Sequence, residues 1–209
     1  MAPEGTYVST LFPEHFDSAA IALGRAFIKD PTFTTILPQP QEPIERARRL
    51  TDLFRAALAI QRKLGEPVFG VLDGKVMGAA VVAGTGRPSV AATIATGLAQ
   101  LPRLLNAIGW GGFQRAISTM DELARNHPPE PHIYLNFLGV DPEFQRRHLG
   151  GALLEHLRLL ALARRELIGV YLETATEENV AYYSARGYEV IGELRPLGCR
   201  MWRMLQRRR

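Results

Sequence analysis

The stretch from His132 to Arg165 decides the fold, and it reads HIYLNFLGVDPEFQRRHLGGALLEHLRLLALARR. Its first part, as far as Val140, is dense in apolar and aromatic side chains, which predicts a buried strand. The segment GVYLET from Gly169 to Thr174 predicts a second buried strand. Between them a helix is predicted from Leu149 to Arg165, with apolar residues on one face: Leu153, Leu157, Leu160 and Ala161. Such a strand–helix–strand crossover of parallel strands should be right-handed.

The loop between the first strand and the helix, DPEFQRRHLGGA from Asp141 to Ala152, predicts an anion-binding site. A helix that begins directly after a strand presents unpaired backbone N–H groups and about half a positive charge at its N-terminus. Gly150 and Gly151 leave the first turn without side chains, and Arg146 and Arg147 add positive charge at its rim. We therefore expect the loop to hold a pyrophosphate or a similar anion. Close packing against another element is the alternative reason for two glycines at this place.

The chain on either side of this stretch predicts further strands and helices. Two strand-like runs, 67–72 and 75–83, are joined by the turn dipeptide Asp73-Gly74 and predict a hairpin, in which Gly78 marks a bulge or a close backbone approach. Elsewhere we expect strands over 6–11, 188–193 and 199–205, and helices from Pro13 to Asp30, from Pro43 to Gly65 and from Asn179 to Arg186.

Residues 85–130 are expected to form apolar helices: one or two that are broken by Pro102 and end at Gly109-Trp110-Gly111-Gly112, and another that contains Phe113, Ile117, Met120 and Leu123. One interpretation is that these helices pack on the core. The other is a mobile cover over a substrate cleft, because a glycine-rich break between apolar helices suits a lid. The glycines do not follow a predicted strand, which argues against a dinucleotide-binding loop.

Composition limits the class of protein. The 209 residues are 46% hydrophobic and 22% charged, as in ordinary globular proteins, and predict a single domain over residues 1–209. The net charge of +4 is due largely to three arginines at the C-terminal end, so nucleic acid is not an expected partner. The single cysteine, Cys199, and the scattered histidines give no metal-ligand spacing, so no metal site is expected. No membrane-length apolar run and no secretory pattern occur, so we expect a cytoplasmic location without membrane contact.

Two segments resemble the GNAT superfamily of N-acetyltransferases. Gln145-Arg146-Arg147-His148-Leu149-Gly150, preceded by Val140-Asp141-Pro142, is similar to the family's Gln/Arg-x-x-Gly-x-Gly/Ala loop, which follows a strand ending in Val-x-Pro. NVAYYSARGY, from Asn179 to Tyr188, is similar to the family's Asn…Tyr-Glu-x-x-Gly-Phe segment. His148 departs from the pattern, because the family usually has glycine there. If φ is positive at this position, His is among the better-tolerated residues, and its imidazole either crowds a phosphate or, when protonated, binds it.

The resemblance implies an α/β fold of the GNAT acyl-CoA N-acyltransferase type. Its central mixed sheet of six to seven strands is flanked by helices, with a helical insertion, about residues 85–130, between strands 3 and 4. The acyl-CoA-binding core covers about residues 132–193. Acceptor choice in the family lies in the first helices and the variable segment, here roughly 30–45 and 85–130, whose apolar character favours a small or partly apolar amine.

The resemblance also implies which residues bind acetyl-CoA, the acyl donor. The pantetheine arm would lie between the two parallel strands where they splay apart, and would pair with backbone groups at Leu138, Gly139 and Val140. Asn179 would hydrogen-bond the cofactor arm, and Tyr183 would also contact the cofactor. The pyrophosphate would be held by the loop and the first helical turn: Gln145, Arg146, Arg147, His148, Leu149, Gly150, Gly151 and Ala152.

The implied catalytic residues are less completely determined. Tyr183 matches the tyrosine that donates a proton to the departing CoA thiolate in many members, and the ordinary pKa values of a phenol (about 10) and a thiol (about 8.5) make this reasonable when water is scarce. A core aromatic with a hydrogen-bonded hydroxyl is the alternative for Tyr183. For the general base, Glu173 is the nearest carboxylate, although it is equally interpretable as structural, and a water relay is preferred.

The expected activity is transfer of an acetyl or short acyl group from acyl-CoA to an amine by direct attack in a ternary complex. The acceptor would be a small-molecule amine, with a protein amine as the alternative, and either a monomer or a homodimer fits the sequence. The competing hypothesis is a non-catalytic acyl-CoA-binding or regulatory module with the same fold. His148 and the lack of a carboxylate on the strand before the loop favour this second hypothesis, whereas Tyr183 and Asn179 favour catalysis.

Overall fold

The computed structural model describes residues 7–37, 42–84 and 90–208. Its strands are β1 (Tyr7–Thr10), β2 (Val68–Asp73), β3 (Lys75–Ala83), β4 (Ile133–Val140), β5 (Gly169–Thr174), β6 (Glu189–Leu194) and β7 (Met201–Arg207). Its α-helices are α1 (Phe16–Ala26), α2 (Pro31–Ile36), α3 (Pro43–Leu64), α4 (Val90–Gly97), α5 (Leu101–Arg125), α6 (Leu149–Ala163) and α7 (Glu177–Ser184). No helix within the described ranges is long and apolar enough to cross a bilayer. The predictions for residue 6, residues 38–41 and residues 85–89 lie outside the described residues.

Within the described chain the strands form one seven-stranded sheet in the order β1-β2-β3-β4-β5-β7-β6. Among the described strands only β4 and β5 pair in parallel, and α6 connects them, which confirms the predicted strand–helix–strand order. The hairpin between β2 and β3 turns at Gly74, where φ is 65°. Because α4 and α5 lie between β3 and β4, the mixed sheet with a helical insertion after the third strand is confirmed.

Helices cover both faces of the sheet. On one face, α6 buries its apolar stripe, which includes Leu153 and Leu157, against side chains of β2, β3, β4, β5 and β7. On the other face, α1, α2, α3 and α5 pack on β2 and β3. Four rings meet on this second face with centroids between 5.2 and 6.1 Å apart: Phe27, Phe33, Phe54 and Phe137. Since Phe137 belongs to β4, this aromatic cluster holds β4 against the helices.

The insertion is divided near the two places where the sequence predicts breaks. The first helix, α4, ends at Gly97, and Pro102 lies in the first turn of α5, where a missing N–H costs no helical hydrogen bond. Gly109 leaves the helical conformation, with φ 67° and ψ 172°, so α5 consists of two helices joined across a kink, and the second one runs to Arg125. A Cβ on Gly112 would lie 2.7 Å from the backbone oxygen of Ile36, so this glycine permits a close approach of α5 to α2. Core packing is therefore the interpretation that the described part of the insertion favours.

Replacing Gly109 by alanine should lower the free energy of unfolding by about 1–3 kcal/mol, because its backbone conformation is essentially restricted to glycine. Nothing lies within 4 Å of an added Cβ, so the loss would come from the backbone alone. Gly111→Ala is the matched control in the same helix. Once the Arg115 side chain shifts, this alanine should leave the free energy of unfolding unchanged or raise it by up to about 1 kcal/mol. Urea denaturation compares both variants with the parent. Equal stability of the two variants would contradict a glycine-dependent kink.

Candidate functional site

The parallel strands β4 and β5 pair along only part of their length. Their register covers three positions, from Ile133 opposite Val170 to Leu135 opposite Leu172. Beyond these positions β5 remains paired with β7 as far as Thr174, and β4 remains paired with β3 as far as Val140. The two facing edges therefore diverge, and the edge of β4 after Leu135 presents backbone groups that β5 does not satisfy.

A bulge in β4 lies at the point of divergence. Val82 is opposite Leu135 whereas Val81 is opposite Phe137, so Asn136 is an extra residue in β4. A bulge bends a strand and increases its local twist, which turns the rest of β4 away from β5.

Glycines on β4 and β3 let neighbouring elements approach the bent strand closely. A Cβ on Gly139 would lie 2.9 Å from a methyl group of Leu23 and 3.0 Å from the Ala26 Cβ, both on α1. A Cβ on Gly78 would lie 2.9 Å from the Gly139 backbone oxygen. This agrees with the close backbone approach that the sequence predicts at Gly78. The free edge of β4 is thus held from behind by α1 and β3.

The loop after β4 is fixed by polar contacts at both ends. The Asp141 carboxylate accepts a hydrogen bond from the Glu143 N–H at 3.0 Å and forms an ion pair with Arg25 of α1 at 3.1 Å. The Gln145 side-chain amide donates to the Val140 carbonyl oxygen at 3.1 Å. These contacts tie the loop to the last residue of β4 and to α1, so its backbone is preorganised.

His148, the position that departs from the family pattern, has φ 62° and ψ 9°, the left-handed conformation that glycine adopts most easily. Arg146 also has a positive φ of 61°. His148 is exposed, and its carbonyl oxygen accepts the Ala152 N–H at 3.0 Å, which closes the first turn of α6. The N–H groups of the first helical residues have no partner one turn earlier and point out of the helix start.

The two glycines of this first turn are packed by Tyr182 of α7 and by Arg186, two residues beyond that helix. A Cβ on Gly150 would lie 2.9 Å from the Tyr182 hydroxyl, and one on Gly151 would lie 3.5 Å from Nε of Arg186. The close-packing explanation for these glycines therefore applies in the structure. It is compatible with anion binding, because the groups that approach are a hydroxyl and a cation.

Tyr183, on α7, is buried in the core that α6 covers, where its ring contacts Tyr182 and Tyr188. Burial is the largest cause that raises the pKa of its hydroxyl, and Tyr182 and Asp30 raise the pKa further. The hydroxyl therefore stays protonated at neutral pH, as a proton donor must. Asn179 lies in the first turn of the same helix and is partly exposed, with its N–H bound to the Thr176 side chain at 3.2 Å.

Glu173 lies on β5 one residue beyond the last pair with β4, and its side chain is only 3% exposed. Strand alternation turns it away from the core that holds Leu172 and Tyr183. Burial is the largest effect on the carboxyl and raises its pKa to about 7, although interactions with Tyr171, Tyr134 and Arg203 lower it.

A chain of ring nitrogens continues from this carboxyl. His127 Nε2 lies 3.6 Å from Glu173 Oε1, His127 Nδ1 lies 3.2 Å from His132 Nε2, and His132 Nδ1 lies 2.8 Å from the Glu130 carbonyl oxygen. A carbonyl only accepts, so in neutral rings the protons are on Nδ1 of both histidines. His127 Nε2 is then an acceptor, which suits the protonated form of Glu173.

Several of these contacts are not readable from the sequence. Arg25 and His127 lie outside both motifs, and Arg186 stands at an unspecified position of the Asn179–Tyr188 segment. They reach the site because α1, the end of α5 and the end of α7 fold against it.

Glu173→Gln should change how stability depends on pH. An ordinary glutamate has a pKa of about 4.3, so between about pH 4 and 7 the folded protein keeps a proton that the unfolded chain has released. The free energy of unfolding of the parent must therefore fall as pH rises through this window. In Glu173→Gln the fall should be smaller by up to about 3 kcal/mol. Urea denaturation at pH 5 and pH 8 measures it, with the exposed Glu178→Gln as control. A stability difference between parent and Glu173→Gln that is equal at both pH values would contradict the buried, protonated carboxyl.

Comparison with known proteins agrees with this architecture. Residues 106–190 match the model of the acetyltransferase (GNAT) domain. A protein from Corynebacterium glutamicum, described as histone acetyltransferase HPA2 and related acetyltransferase, has 23% identity and a TM-score of 0.71, over 99% of this chain and 97% of that chain. Arylalkylamine N-acetyltransferase 2 from Aedes aegypti has 14% identity and a TM-score of 0.60, over 99% and 100%. The GphF GNAT-like decarboxylase, solved with isobutyryl-CoA, has 14% identity and a TM-score of 0.58, over 97% and 100%.

These structural similarities show a shared fold, and the matched domain model covers β4, the loop, α6, β5 and α7. The chain therefore has the fold of the GNAT acyltransferases, and the part that matches the GNAT domain model contains the diverging strands and the loop.

Proposed function

We propose that residues 1–209 form one catalytic domain that transfers an acetyl group, or another short acyl group, from acyl-CoA to a primary amine in a ternary complex. The observation that carries this proposal is the divergence of β4 from β5 beyond Leu135 and Leu172. It leaves strand-edge backbone groups directly beside the anion-binding start of α6.

The residues present fit acyl-CoA. An extended pantetheine arm carries amides, and the unpaired edge of β4 at Leu138, Gly139 and Val140 offers the backbone groups that such amides bind. The exposed loop residues 145–148 and the N–H groups of the first turn of α6 would hold the pyrophosphate. Asn179 would hydrogen-bond the arm near Thr174, where β5 ends. The solved complex of the GphF neighbour with isobutyryl-CoA supports an acyl-CoA as ligand of this fold.

In the proposed reaction the amine nitrogen attacks the thioester carbonyl carbon, a C–N bond forms and the C–S bond breaks. The sulfur leaves as a thiolate, and Tyr183 would donate its proton to it. Burial keeps this phenol protonated and keeps water away from the leaving group. The attacking nitrogen must lose a proton in the same reaction.

Glu173 is the candidate acceptor for that proton, acting through a relay. A pKa of about 7 suits a general base at neutral pH. Its side chain is too deeply buried to touch an acceptor directly, so a water or the adjoining Tyr134 hydroxyl would have to pass the proton.

The acceptor is proposed to be a small-molecule amine, with a protein amine as the alternative. Both kinds of acceptor occur in the names of the similar structures, an arylalkylamine in one and a histone in another. The second candidate function is a non-catalytic acyl-CoA-binding module. His148 supports it, because this residue adopts a left-handed backbone conformation that glycine would favour.

Tyr183→Phe should lower turnover by about 100-fold while leaving the dissociation constant for acetyl-CoA within a few-fold, because the hydroxyl acts on the leaving thiolate. Thiol release from acetyl-CoA over a panel of primary amines measures turnover, and calorimetry measures binding. Tyr188→Phe, a buried tyrosine of the same core, is the matched control and should retain turnover.

Three outcomes separate the hypotheses. Unchanged turnover in Tyr183→Phe would remove this residue from the mechanism. Binding of acetyl-CoA by the parent without thiol release for any amine would support the non-catalytic module. Failure of the parent to bind acetyl-CoA would contradict both.

A further inference from the structure

Two buried histidines, His127 and His132, lie beside Glu173 and belong to neither sequence motif. His127 is in the connection that follows α5, and His132 directly precedes β4. Neither side chain has exposed surface. Ring nitrogens are unfavourable in a protein interior unless they have polar partners, so the partners of these nitrogens determine what the pair can do.

Aromatic rings hold the two imidazoles in place. The centroid of the His127 ring lies 4.3 Å from that of Tyr134, in an edge-to-face arrangement, and 4.7 Å from that of Tyr171. Tyr171 also contacts His132, with 5.2 Å between the centroids. The carbonyl oxygen of the residue before His132 accepts the N–H of the residue before β5 at 2.9 Å, which ties the segment to the sheet. The two rings are therefore aligned without a ligand.

The hydrogen bonds of the rings determine where their protons lie. His132 Nδ1 lies 2.8 Å from the Glu130 carbonyl oxygen, which can only accept, so the proton of this ring is on Nδ1. Its Nε2 therefore accepts from His127 Nδ1, at 3.2 Å. His127 Nε2 is left without a proton, and it lies 3.6 Å from Glu173 Oε1. The pair thus turns a proton acceptor towards the carboxyl group.

The other titratable and charged groups that face Glu173 cannot take its proton. They are Tyr134 of β4, Tyr171 of β5 and Arg203 of β7. Burial is the largest cause that raises the pKa of both phenols, so at neutral pH each already holds its proton. A guanidinium has no acceptor atom. Among the described groups around the carboxyl, His127 is the one that offers an unprotonated nitrogen.

Glu173 as a proton acceptor faces one difficulty. Burial raises its pKa to about 7, so just below neutral pH most molecules already carry the proton. A protonated carboxyl accepts another proton only if it gives up the first one in the same step. His127 Nε2 is placed to receive that first proton.

We propose that His127 takes the proton of Glu173 while Glu173 takes the proton of the acceptor amine, and that His132 orients His127 for this transfer. The inference rests on the proposed function, in which Glu173 accepts the proton of the amine. Both histidines act through Glu173, so they are positioning residues.

The proton transfer balances. One proton leaves the amine nitrogen through the water or the Tyr134 hydroxyl, and one N–H bond forms at His127 Nε2, while Glu173 ends with one proton as it began. His127 becomes an imidazolium, and the charge strengthens the hydrogen bond that its Nδ1–H donates to His132. After the product leaves, the extra proton returns to solvent by the same path.

His127→Ala tests the transfer through the pH dependence of turnover. At pH 7 turnover should fall by about 10- to 100-fold, because the carboxyl loses the group that takes its proton. At pH 9 the loss should be much smaller, since Glu173 is then ionised and more of the amine is already neutral. Thiol release from acetyl-CoA with a primary amine measures turnover. The matched control is His156→Ala, which lies in α6 against Phe69 and should keep the pH dependence of the parent.

Chemical rescue separates proton transfer from packing. Imidazole added to His127→Ala can fill the space of the missing ring and accept a proton, so turnover at pH 7 should rise towards that of the parent. Pyrazole has nearly the same shape but is a much weaker base, so it should restore little. His127→Gln fills the space itself and should show the pH-dependent loss without rescue. This second variant decides the outcome if the alanine variant does not fold, as measured by circular dichroism, or if neither additive restores turnover.

Nitrogen NMR of the histidine rings tests the alignment without substrate. At pH 6 both rings should carry their proton on Nδ1, the opposite of the form that free histidine favours. A proton on Nε2 of neutral His127 would overturn the proposal, because Glu173 would then face a donor.

The turnover measurements can contradict the proposal in two further ways. Turnover of His127→Gln that is unchanged, or lowered equally at pH 7 and pH 9, would overturn the role of His127. Equal rescue of His127→Ala by imidazole and pyrazole would assign the loss to packing and overturn it as well. If the parent releases no thiol with any amine, the proposed function itself fails, and the NMR result then shows separately whether the alignment is correct.

Discussion

The incomplete pairing of β4 with β5 is the constraint on which the site depends. Two adjacent strands can separate in a folded protein only if each is held firmly on its other side, because unpaired backbone groups destabilise a buried sheet. Here β5 keeps β7 as a partner through Thr174, and β4 keeps β3 through Val140. The bulge at Asn136 makes the separation local. The gap is therefore a feature of a stable sheet and needs no ligand to create it.

The second face of the sheet explains why β4 stays in its bent course. Phe137 immediately follows the bulge and is packed among three phenylalanines of α1, α2, α3 and their connections. Gly139 lets α1 approach β4 closely, and Arg25 at the end of α1 binds the loop that follows. One helix thus determines both the position of the strand edge and the position of the loop, the two parts that a pantetheine and a pyrophosphate would occupy.

Features that depend on residues close together in the sequence could be predicted from it, whereas features formed by distant segments could not. The strand, the loop and α6 are contiguous, so their apolar periodicity and glycines predict them, and the topology follows from the crossover. The two breaks in the insertion, near Pro102 and at Gly109, were predictable as well, because proline and glycine act on the backbone at their own positions. The surroundings of Glu173 come from α5, β4, β5 and β7, so no local pattern announces its raised pKa. The same holds for Arg186, because its packing against Gly151 depends on how α7 folds against α6.

The loop itself shows how preorganisation is maintained without the expected glycine. Left-handed conformations at Arg146 and His148 are each unfavourable by roughly 1–2 kcal/mol for residues with a Cβ, so a free segment would not adopt both. Contacts on either side of the loop enforce them: Asp141 bound to Arg25, Gln145 bound to Val140, and the first turn of α6 anchored by buried Leu149. Strain that is imposed in this way keeps the N–H groups of the loop and helix start aimed outward before any ligand arrives. An anion bound there, as proposed, would require little further ordering of the backbone, because packing outside the loop already holds it in place.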